Sequence, residues 1–268
     1  RAKPTVAKLQ QTLAELDQHI LELSNVRAEM SVQLADLRRA EGQPDFQLSD
    51  EDRQLAAVVE ANKGPLTPGA VKAVFRELIS ACRAMVKPLR VAFLGPQYSY
   101  SHLAAIHRFG QQVEYVAVGT IAAVFEEVIR GHCQFGLVPL ENSTDGRIAD
   151  TLDVFIRTPI RICGQVELEI HHALLAKSPR SEIREVYSKP QALSQCRNWL
   201  AKHLPGARLV EVTSTSTAAQ LAAEKPGAAA IASIQAGTHY GLNVLAENIE
   251  DNPGNTTRFA VIGHLSCP

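Results

Sequence analysis

At 268 residues with 46% apolar side chains, the chain is long enough to bury two compact cores. Its 27 Lys and Arg nearly balance 28 Asp and Glu, so no global field is present to hold a phosphate backbone or an anionic membrane surface, and neither nucleic acid nor membrane is expected as a partner. The five scattered cysteines (Cys82, Cys133, Cys163, Cys196 and Cys267) contain no C-x-x-C pair, which argues against a disulfide framework and a metal centre and for a reducing, cytoplasmic setting.

No apolar run approaches the roughly 20 residues that span a bilayer. The start, Arg-Ala-Lys-Pro, lacks a signal-peptide core, and without Met it reads as trimmed from a longer chain. From Pro4 to about Ala40 there is no Gly and no further Pro. Leu9, Leu13, Leu16, Ile20, Leu23, Met30, Leu34 and Leu37 recur at helical steps, which predicts one amphipathic helix. At 1.5 Å per residue it is on the order of 55 Å long, more than its own chain can cover, so it calls for a partner helix, most simply from a second subunit. Glu41-Gly42-Gln43-Pro44 ends it, Ser49 is placed to cap a second helix to about Asn62, and Gly64-Pro65-Leu66-Thr67-Pro68 breaks the chain again. A third helix is predicted from about Gly69 to Met85, with Val71, Val74, Phe75, Leu78, Ile79 and Cys82 as its apolar face.

After Lys87-Pro88 the pattern becomes short β runs alternating with helices: Arg90 to Leu94 and a helix from Ser101, Val113 to Val118 and a helix from Ile121, Phe135 to Val138 and a helix from Ile148. Later strands are predicted at Arg161 to Ile170, Ala173 to Ala176, Glu185 to Tyr187, Arg208 to Val212, Ala228 to Ala232 and Phe259 to Gly263.

Hydroxyl and amide side chains cluster at Gly95-Pro96-Gln97-Tyr98-Ser99-Tyr100-Ser101-His102, at Pro139 to Gly146, and at Thr213-Ser214-Thr215-Ser216-Thr217, each read as a strand handing over to a helix. Free N–H groups at such helix starts suit a small anion, although capping alone explains any one cluster. A fourth cluster, Thr256-Thr257-Arg258, precedes the predicted strand at Phe259 and is not a cap. An Arg there can pair with a carboxylate in bidentate fashion.

Taken together, Gly95-Pro96 with Ser99-Tyr100-Ser101, Pro139 with Glu141-Asn142-Ser143-Thr144, Tyr187-Ser188 with Pro190-Gln191 and Gln195-Cys196, Tyr240-Gly241-Leu242, and Thr257-Arg258-Phe259 resemble prephenate dehydratases in order and spacing, from about Arg90 to Gly263. The resemblance implies a two-lobed α/β domain similar to type II periplasmic binding proteins, with prephenate in the cleft. It also implies loss of carbon dioxide and water to give phenylpyruvate, in phenylalanine biosynthesis, without metal or organic cofactor. In this family pattern Thr257 is the catalytic residue that hydrogen-bonds or protonates the leaving hydroxyl. Arg258 either anchors a carboxylate or braces the loop, and Phe259 supplies an apolar wall. Asn142, Ser143 and Thr144, with Ser99 and Ser101, line one side, and Ser214 and Thr215 the other; Gln191 and Gln195 match a further motif. Glu141 reads as a base or, preferably, as a partner of a helix dipole. Two departures stand out: Lys189 replaces the usual His, and Tyr98 the usual Gly of the first turn. If that position needs positive φ, Tyr is strained there or the turn is reshaped.

Three helices before such a domain resemble the all-α chorismate mutase of bifunctional P-proteins, with Leu16-Asp17 and Arg27 in phase. Arg27 and Glu51 match that family's site and Arg38 stands where it has Lys, whereas Gln10, Asp50, Cys82 and Val86 stand where it uses cations or polar donors. A weak or inactive mutase is therefore expected, serving as a dimerisation module, so that the chain forms a homodimer or larger. The expected domains are 1–87 and 88–268, the second with one lobe at about 88–165 and 246–264 and another at about 166–245. A fully bifunctional enzyme that also takes chorismate and a non-catalytic small-anion sensor are the alternatives. Family members continue into a small phenylalanine-binding regulatory domain, which would begin where this chain stops, at Cys267-Pro268.

Overall fold

The computed structural model describes residues 5–144 and 146–264, so the Arg-Ala-Lys-Pro start, Asp145 and Cys267 lie outside the described residues. The chain divides into two compact units: one reaches Leu89 and takes in Phe109–Glu114, and the other holds Arg90–Arg108 and the chain from Tyr115 on.

The first unit is built on α1 (Val6–Ala40), α2 (Leu48–Ala61) and α3 (Pro68–Val86). Thr5 caps α1 by accepting the Lys8 N–H at 3.3 Å, and Arg38 and Arg39 complement the dipole in its last turn. Thr67 caps α3, where Pro68 opens the helix with its φ already set. Ser49 does not cap α2. The helix starts at Leu48, which is buried, so Gln47 takes the cap position without a side-chain bond, and Asp50 and Glu51 supply the favourable charge of the first turn.

Ala28 and Ala35 are the buried residues of α1, small enough for α3 to approach closely, and α3 buries Val71, Ile79 and Cys82. Val74, expected on that face, is 61% exposed because it sits at the edge of the α3 stripe. Arg83 is buried in this core with both terminal nitrogens engaged: Nη1 meets both Glu51 carboxylate oxygens at 2.7 Å, and Nη2 donates to the Phe109 carbonyl at 2.6 Å. The stripe on α1 from Leu9 to Leu37 stays between 44% and 70% exposed.

The second unit runs β1 (Arg90–Leu94), α4 (Tyr100–Phe109), β2 (Glu114–Val118), α5 (Ile121–Ile129), β3 (Phe135–Asn142), β4 (Gly146–Arg147), α6 (Ala149–Arg157), β5 (Arg161–Glu169) and β6 (Ala173–Ala176). It continues with β7 (Glu185–Ser188), α7 (Pro190–Gln195), α8 (Arg197–His203), β8 (Arg208–Glu211), α9 (Thr215–Glu224), β9 (Ala228–Ala232), α10 (Ile234–His239), β10 (Asn243–Ala246) and β11 (Thr256–Gly263). One sheet has the order β2-β1-β3-β11-β5 and the other β8-β7-β9-β6-β10. The two orders are equivalent: second, first and third strands of a half, then a strand joined through the crossover, then the fourth. The crossover strand is antiparallel to its inner neighbour in both, β11 to β3 and β6 to β9. This is a two-lobed α/β arrangement, one sheet to each lobe.

The cores follow from side-chain size. Every residue of the all-apolar β9 is buried, and its small side chains let Ala218, Ala219 and Ala222 of α9 pack down onto the sheet. On β3, a Cβ at Gly136 would lie 2.7 Å from Val124 of α5 and 2.9 Å from Ile262, so only Gly lets these layers close.

Two strand boundaries differ from expectation by more than a residue, and the edge strand β10 is new. Strand β11 begins at Thr256, because Thr257 pairs with Asn142 on β3 and Leu168 on β5; Thr257 and Arg258 are strand residues. Strand β3 extends to Asn142, so the Asn142-Ser143-Thr144 cluster sits on a strand end and turn and not at a helix start. The short edge strand β10 was not expected from the sequence at all.

Candidate active site

Between the two sheets lies a cavity of about 730 Å³. From the first sheet and its loops come Leu94, Pro96, Ser99, Tyr100, Ser101, Ala117, Pro139, Asn142, Ile148, Thr257 and Phe259; from the second come Lys189, Gln191, Gln195, Thr213, Ser214, Thr215 and Thr217. Ile170 and His172, in the segment where the chain first crosses between sheets, complete this wall. No Asp or Glu lines it among the described residues.

Strand alternation explains which residues of the Thr-Arg-Phe motif reach the cavity. Thr257 and Phe259, two apart on β11, both line it and are nearly buried, whereas Arg258 points to the other face. There its Nη1 lies 3.5 Å from Glu141 Oε2, with both side chains nearly half exposed. Neither Arg258 nor Glu141 lines the cavity.

Thr257 is held by amides. Asn142 Nδ2 donates to Thr257 Oγ1 at 2.8 Å and also faces Asn255 Oδ1 at 3.0 Å, while Asn142 Oδ1 accepts the Thr144 N–H at 2.9 Å. Among the described residues the Thr257 hydroxyl meets no acceptor for its own proton. Asn255, 1% exposed, in turn donates through Nδ2 to Gln195 Oε1 at 3.0 Å, which ties the first sheet to α7 of the second. The same Gln195 oxygen lies 2.9 Å from His172 Nε2. An oxygen can only accept, so the His172 proton sits on Nε2, and Nδ1 faces the Tyr100 hydroxyl at 2.9 Å, whose single proton it shares with the His171 carbonyl at 2.8 Å. Burial pushes the His172 pKa below its ordinary value, against a smaller opposing effect of the Gln195 bond, which keeps the ring neutral.

Ser143 and Thr144 lie outside the cavity lining and brace the segment before β11. Ser143 Oγ accepts the Thr256 N–H at 2.9 Å, and Thr144 Oγ1 reaches Asn255 Oδ1 at 3.4 Å. Ser99 lines the cavity while donating to the Leu94 carbonyl at 3.2 Å, and Ser101 is buried beside it in the first turn of α4. Ser214 caps α9 by accepting the Thr217 N–H at 2.9 Å, so capping and cavity lining coexist in one residue. Tyr98 takes φ +61°: the turn keeps the left-handed conformation and the Tyr backbone bears it. Its N–H donates to His102 Nδ1 at 3.0 Å, and its ring stacks on His239 of α10 with centroids 3.9 Å apart.

Tyr100, His172, Asn255 and Lys189 were not singled out as site residues from the sequence. Tyr100 stands inside a motif and Asn255 directly precedes one, so both were legible in principle. His172 follows an apolar strand run and gave no signal.

In the helical unit, Arg38 and Arg53 both pair with Asp50. Burial works against the Asp50 charge, but the two guanidiniums prevail and hold its pKa below the usual carboxylate range. Glu51 is engaged by Arg83, and Arg27 Nη2 donates to Gln54 at 3.1 Å. The Arg27 Nη1 atom is buried with no hydrogen-bond partner among the described residues. Among the described residues no group of three metal-ligating side chains is assembled, and no helix is long and apolar enough to cross a membrane.

Comparison with known proteins gives two family matches, prephenate dehydratase over residues 91–266 and chorismate mutase type II over residues 9–87. A bifunctional chorismate mutase/prephenate dehydratase of Stutzerimonas stutzeri is 42% identical over 94% of this chain and 71% of its own length. Among solved structures, the prephenate dehydratase of Arthrobacter aurescens in complex with L-Phe is 32% identical with a TM-score of 0.62, covering 66% of this chain and 60% of that one. The structure of GqqA, a quorum-quenching acylase, is 27% identical with a TM-score of 0.59, covering 65% of this chain and 64% of that one. The chain thus spans less than two thirds of either solved protein. With two family models matched in order and a 42% identical relative covered over most of its length, the chain belongs to the bifunctional chorismate mutase/prephenate dehydratase family.

Proposed function

We propose that the two-lobed unit, a prephenate dehydratase domain, binds prephenate between its sheets and that Thr257 hydrogen-bonds or protonates the departing ring hydroxyl. As the carboxylate leaves as carbon dioxide, its bonding electron pair fills the ring. The ring C–O bond then breaks, and the hydroxide departs as water once it takes a proton. The observation that carries the reading is the filled acceptor on Thr257: with Asn142 donating to Oγ1, the hydroxyl proton has the cavity as its outlet. The absence of a lining carboxylate among the described residues agrees with a reaction that removes no substrate proton. Phe259, Pro139 and Leu94 supply an apolar wall where a carboxylate is poorly solvated, which favours its loss. The N-termini of α4 and α9, with Ser99, Ser101, Ser214 and Thr215, are suited to the remaining anionic groups, and Gln191 to a polar substituent.

Arg258 is assigned to bracing, through Glu141, and Ser143 and Thr144 to supporting the Asn255 segment. The expected result with prephenate is phenylpyruvate formation by the unmodified chain and a roughly hundredfold or greater loss in Thr257→Ala, in line with removal of one preorganised donor. Full turnover in a correctly folded Thr257→Ala protein would remove the assignment.

For the helical unit we infer a weak mutase. Chorismate rearrangement needs cations aimed at two carboxylates, and here Asp50 occupies both Arg38 and Arg53. One observation favours retained activity: the unpartnered Arg27 Nη1 could take a carboxylate. Assaying chorismate and prephenate side by side decides between them, since brisk chorismate turnover would end the weak-mutase reading. The division at residues 87 and 88, a homodimer formed through the helical unit, and a cytoplasmic site suited to the free Cys82, Cys133, Cys163 and Cys196 belong to the same proposal.

A further inference from the structure

We infer that Lys189 fixes the orientation of prephenate by anchoring the carboxylate that survives the reaction, the one on the pyruvyl side chain. The inference rests on the dehydratase reading and deepens it. Prephenate carries two carboxylates, and the Arg that its sequence motif offers for them, Arg258, faces away from the cavity toward Glu141. Among the described residues that line the cavity, Lys189 is the one Lys or Arg, and no carboxylate opposes it there.

The position is built to present a side chain. Ser188, immediately before it, is fully buried and donates through Oγ to the Ile231 carbonyl at 2.7 Å. The Lys189 carbonyl accepts the Leu193 N–H at 3.1 Å, which fixes the backbone where β7 passes into α7. The side chain itself is exposed, and among the described residues its ammonium has no partner.

Chemistry decides which carboxylate it takes. A cation held on the departing carboxylate would stabilise the ground state more than a transition state in which that charge drains into the ring, and would slow decarboxylation. A cation on the pyruvyl carboxylate acts equally on both states and sets affinity and orientation. The layout agrees: Lys189 stands on the second sheet's side, while the apolar wall of Leu94, Pro139 and Phe259 and the Thr257 hydroxyl stand on the first.

The experiment compares the unmodified chain with Lys189→Met and Lys189→Arg, measuring prephenate kinetics, phenylpyruvate binding by calorimetry, and thermal melting to verify folding. The expected result for Lys189→Met is a rise of about tenfold in KM, as for loss of a charge-assisted hydrogen bond, with kcat changed far less. Phenylpyruvate, which keeps only the pyruvyl carboxylate, should lose affinity by a similar factor, and Lys189→Arg should recover most of both. Unchanged KM and phenylpyruvate affinity in Lys189→Met would overturn the inference. So would a fall in kcat with phenylpyruvate affinity intact, which would put the lysine on the leaving carboxylate. Failure of the unmodified chain to convert prephenate would instead strike the dehydratase reading. The phenylpyruvate titrations would still decide whether Lys189 holds that carboxylate.

Discussion

Tyr98 shows how one side chain is retained at a backbone position that favours glycine. Left-handed φ costs a non-Gly residue about 1–2 kcal/mol, and the ring offsets this by stacking on His239 across the two sheets and meeting His102 edge-on at 5.5 Å. Such pairs contribute about 0.5–1.5 kcal/mol each beyond their buried area. Tyr98→Gly is therefore expected to relieve the backbone yet destabilise the protein by a net ~1 kcal/mol, read as a lower urea midpoint with unchanged slope; a higher midpoint would mean that the stacking is worth less than the strain. Motif residues such as Thr257, Asn142 and Gln195 were legible because several spaced segments had to agree. His172 was not, because its partners Gln195, Tyr100 and Glu250 lie 23, 72 and 78 residues away, and nothing local separates it from an ordinary core histidine.

The chain crosses between the sheets at residues 170–172 and again before β11, and buried polar bonds join the two crossings. The Ile170 N–H donates to the Asn255 carbonyl at 2.8 Å, and Glu250 accepts the His172 N–H at 2.9 Å and faces His171 Nδ1 at 2.8 Å. The two histidines respond to acid in opposite senses. The Glu250 bond raises the His171 pKa above its ordinary value of 6.5, so its contribution to stability is complete below that value and is lost as pH rises through the folded pKa. Burial lowers the His172 pKa, so the unfolded chain binds its proton first and stability falls as pH drops from 6.5 toward the folded pKa. The net effect on unfolding between pH 5 and 7 should thus be small, whereas activity responds to His172 alone. Protonation at Nδ1 turns it from acceptor to donor, leaves the Tyr100 proton to the His171 carbonyl and puts a charge on the route to Asn255 and Thr257, so turnover should fall on the acid side with a midpoint below 6.5. His172→Gln should lose that limb. A pH–rate profile with the same acid limb in both proteins would show that another group controls it. Periodicity placed most strands of this unit within a residue or two. It could not show that β11 inserts between β3 and β5, because pairing over more than 110 residues leaves no local trace. The edge strand β10 went unread for a related reason: at four residues it is too short to show alternation.

At the scale of the whole molecule, helix α1 is the element that its own unit does not account for. Its 35 residues extend about 52 Å at 1.5 Å per residue, and its buried residues, Ala28 and Ala35, both lie in the second half. An isolated helical arm with Leu13, Leu16, Ile20 and Leu23 at 50–70% exposure leaves apolar area in water that a second copy of α1 and its neighbours would cover. Length and periodicity made this legible from the sequence, because no Gly or Pro interrupts the stripe. Which residues face the partner was not legible, since a helix apolar on one side looks the same whether its own chain or another covers it. Each large side chain that becomes fully buried contributes roughly 1.5–3 kcal/mol, so four or more suffice for a stable dimer even after the cost of association. Replacing Leu13 and Ile20 together by Asp puts two charges into that seam on each chain and should convert the proposed dimer to monomer in analytical ultracentrifugation. Thr257 and its amide partners all belong to the two-lobed unit, so prephenate turnover should survive the dissociation to within a few-fold, with the helical content of α1 reduced. A monomeric unmodified chain at micromolar concentration would refute the dimer. Loss of prephenate turnover in a folded monomeric variant would show instead that the dehydratase site depends on the assembly.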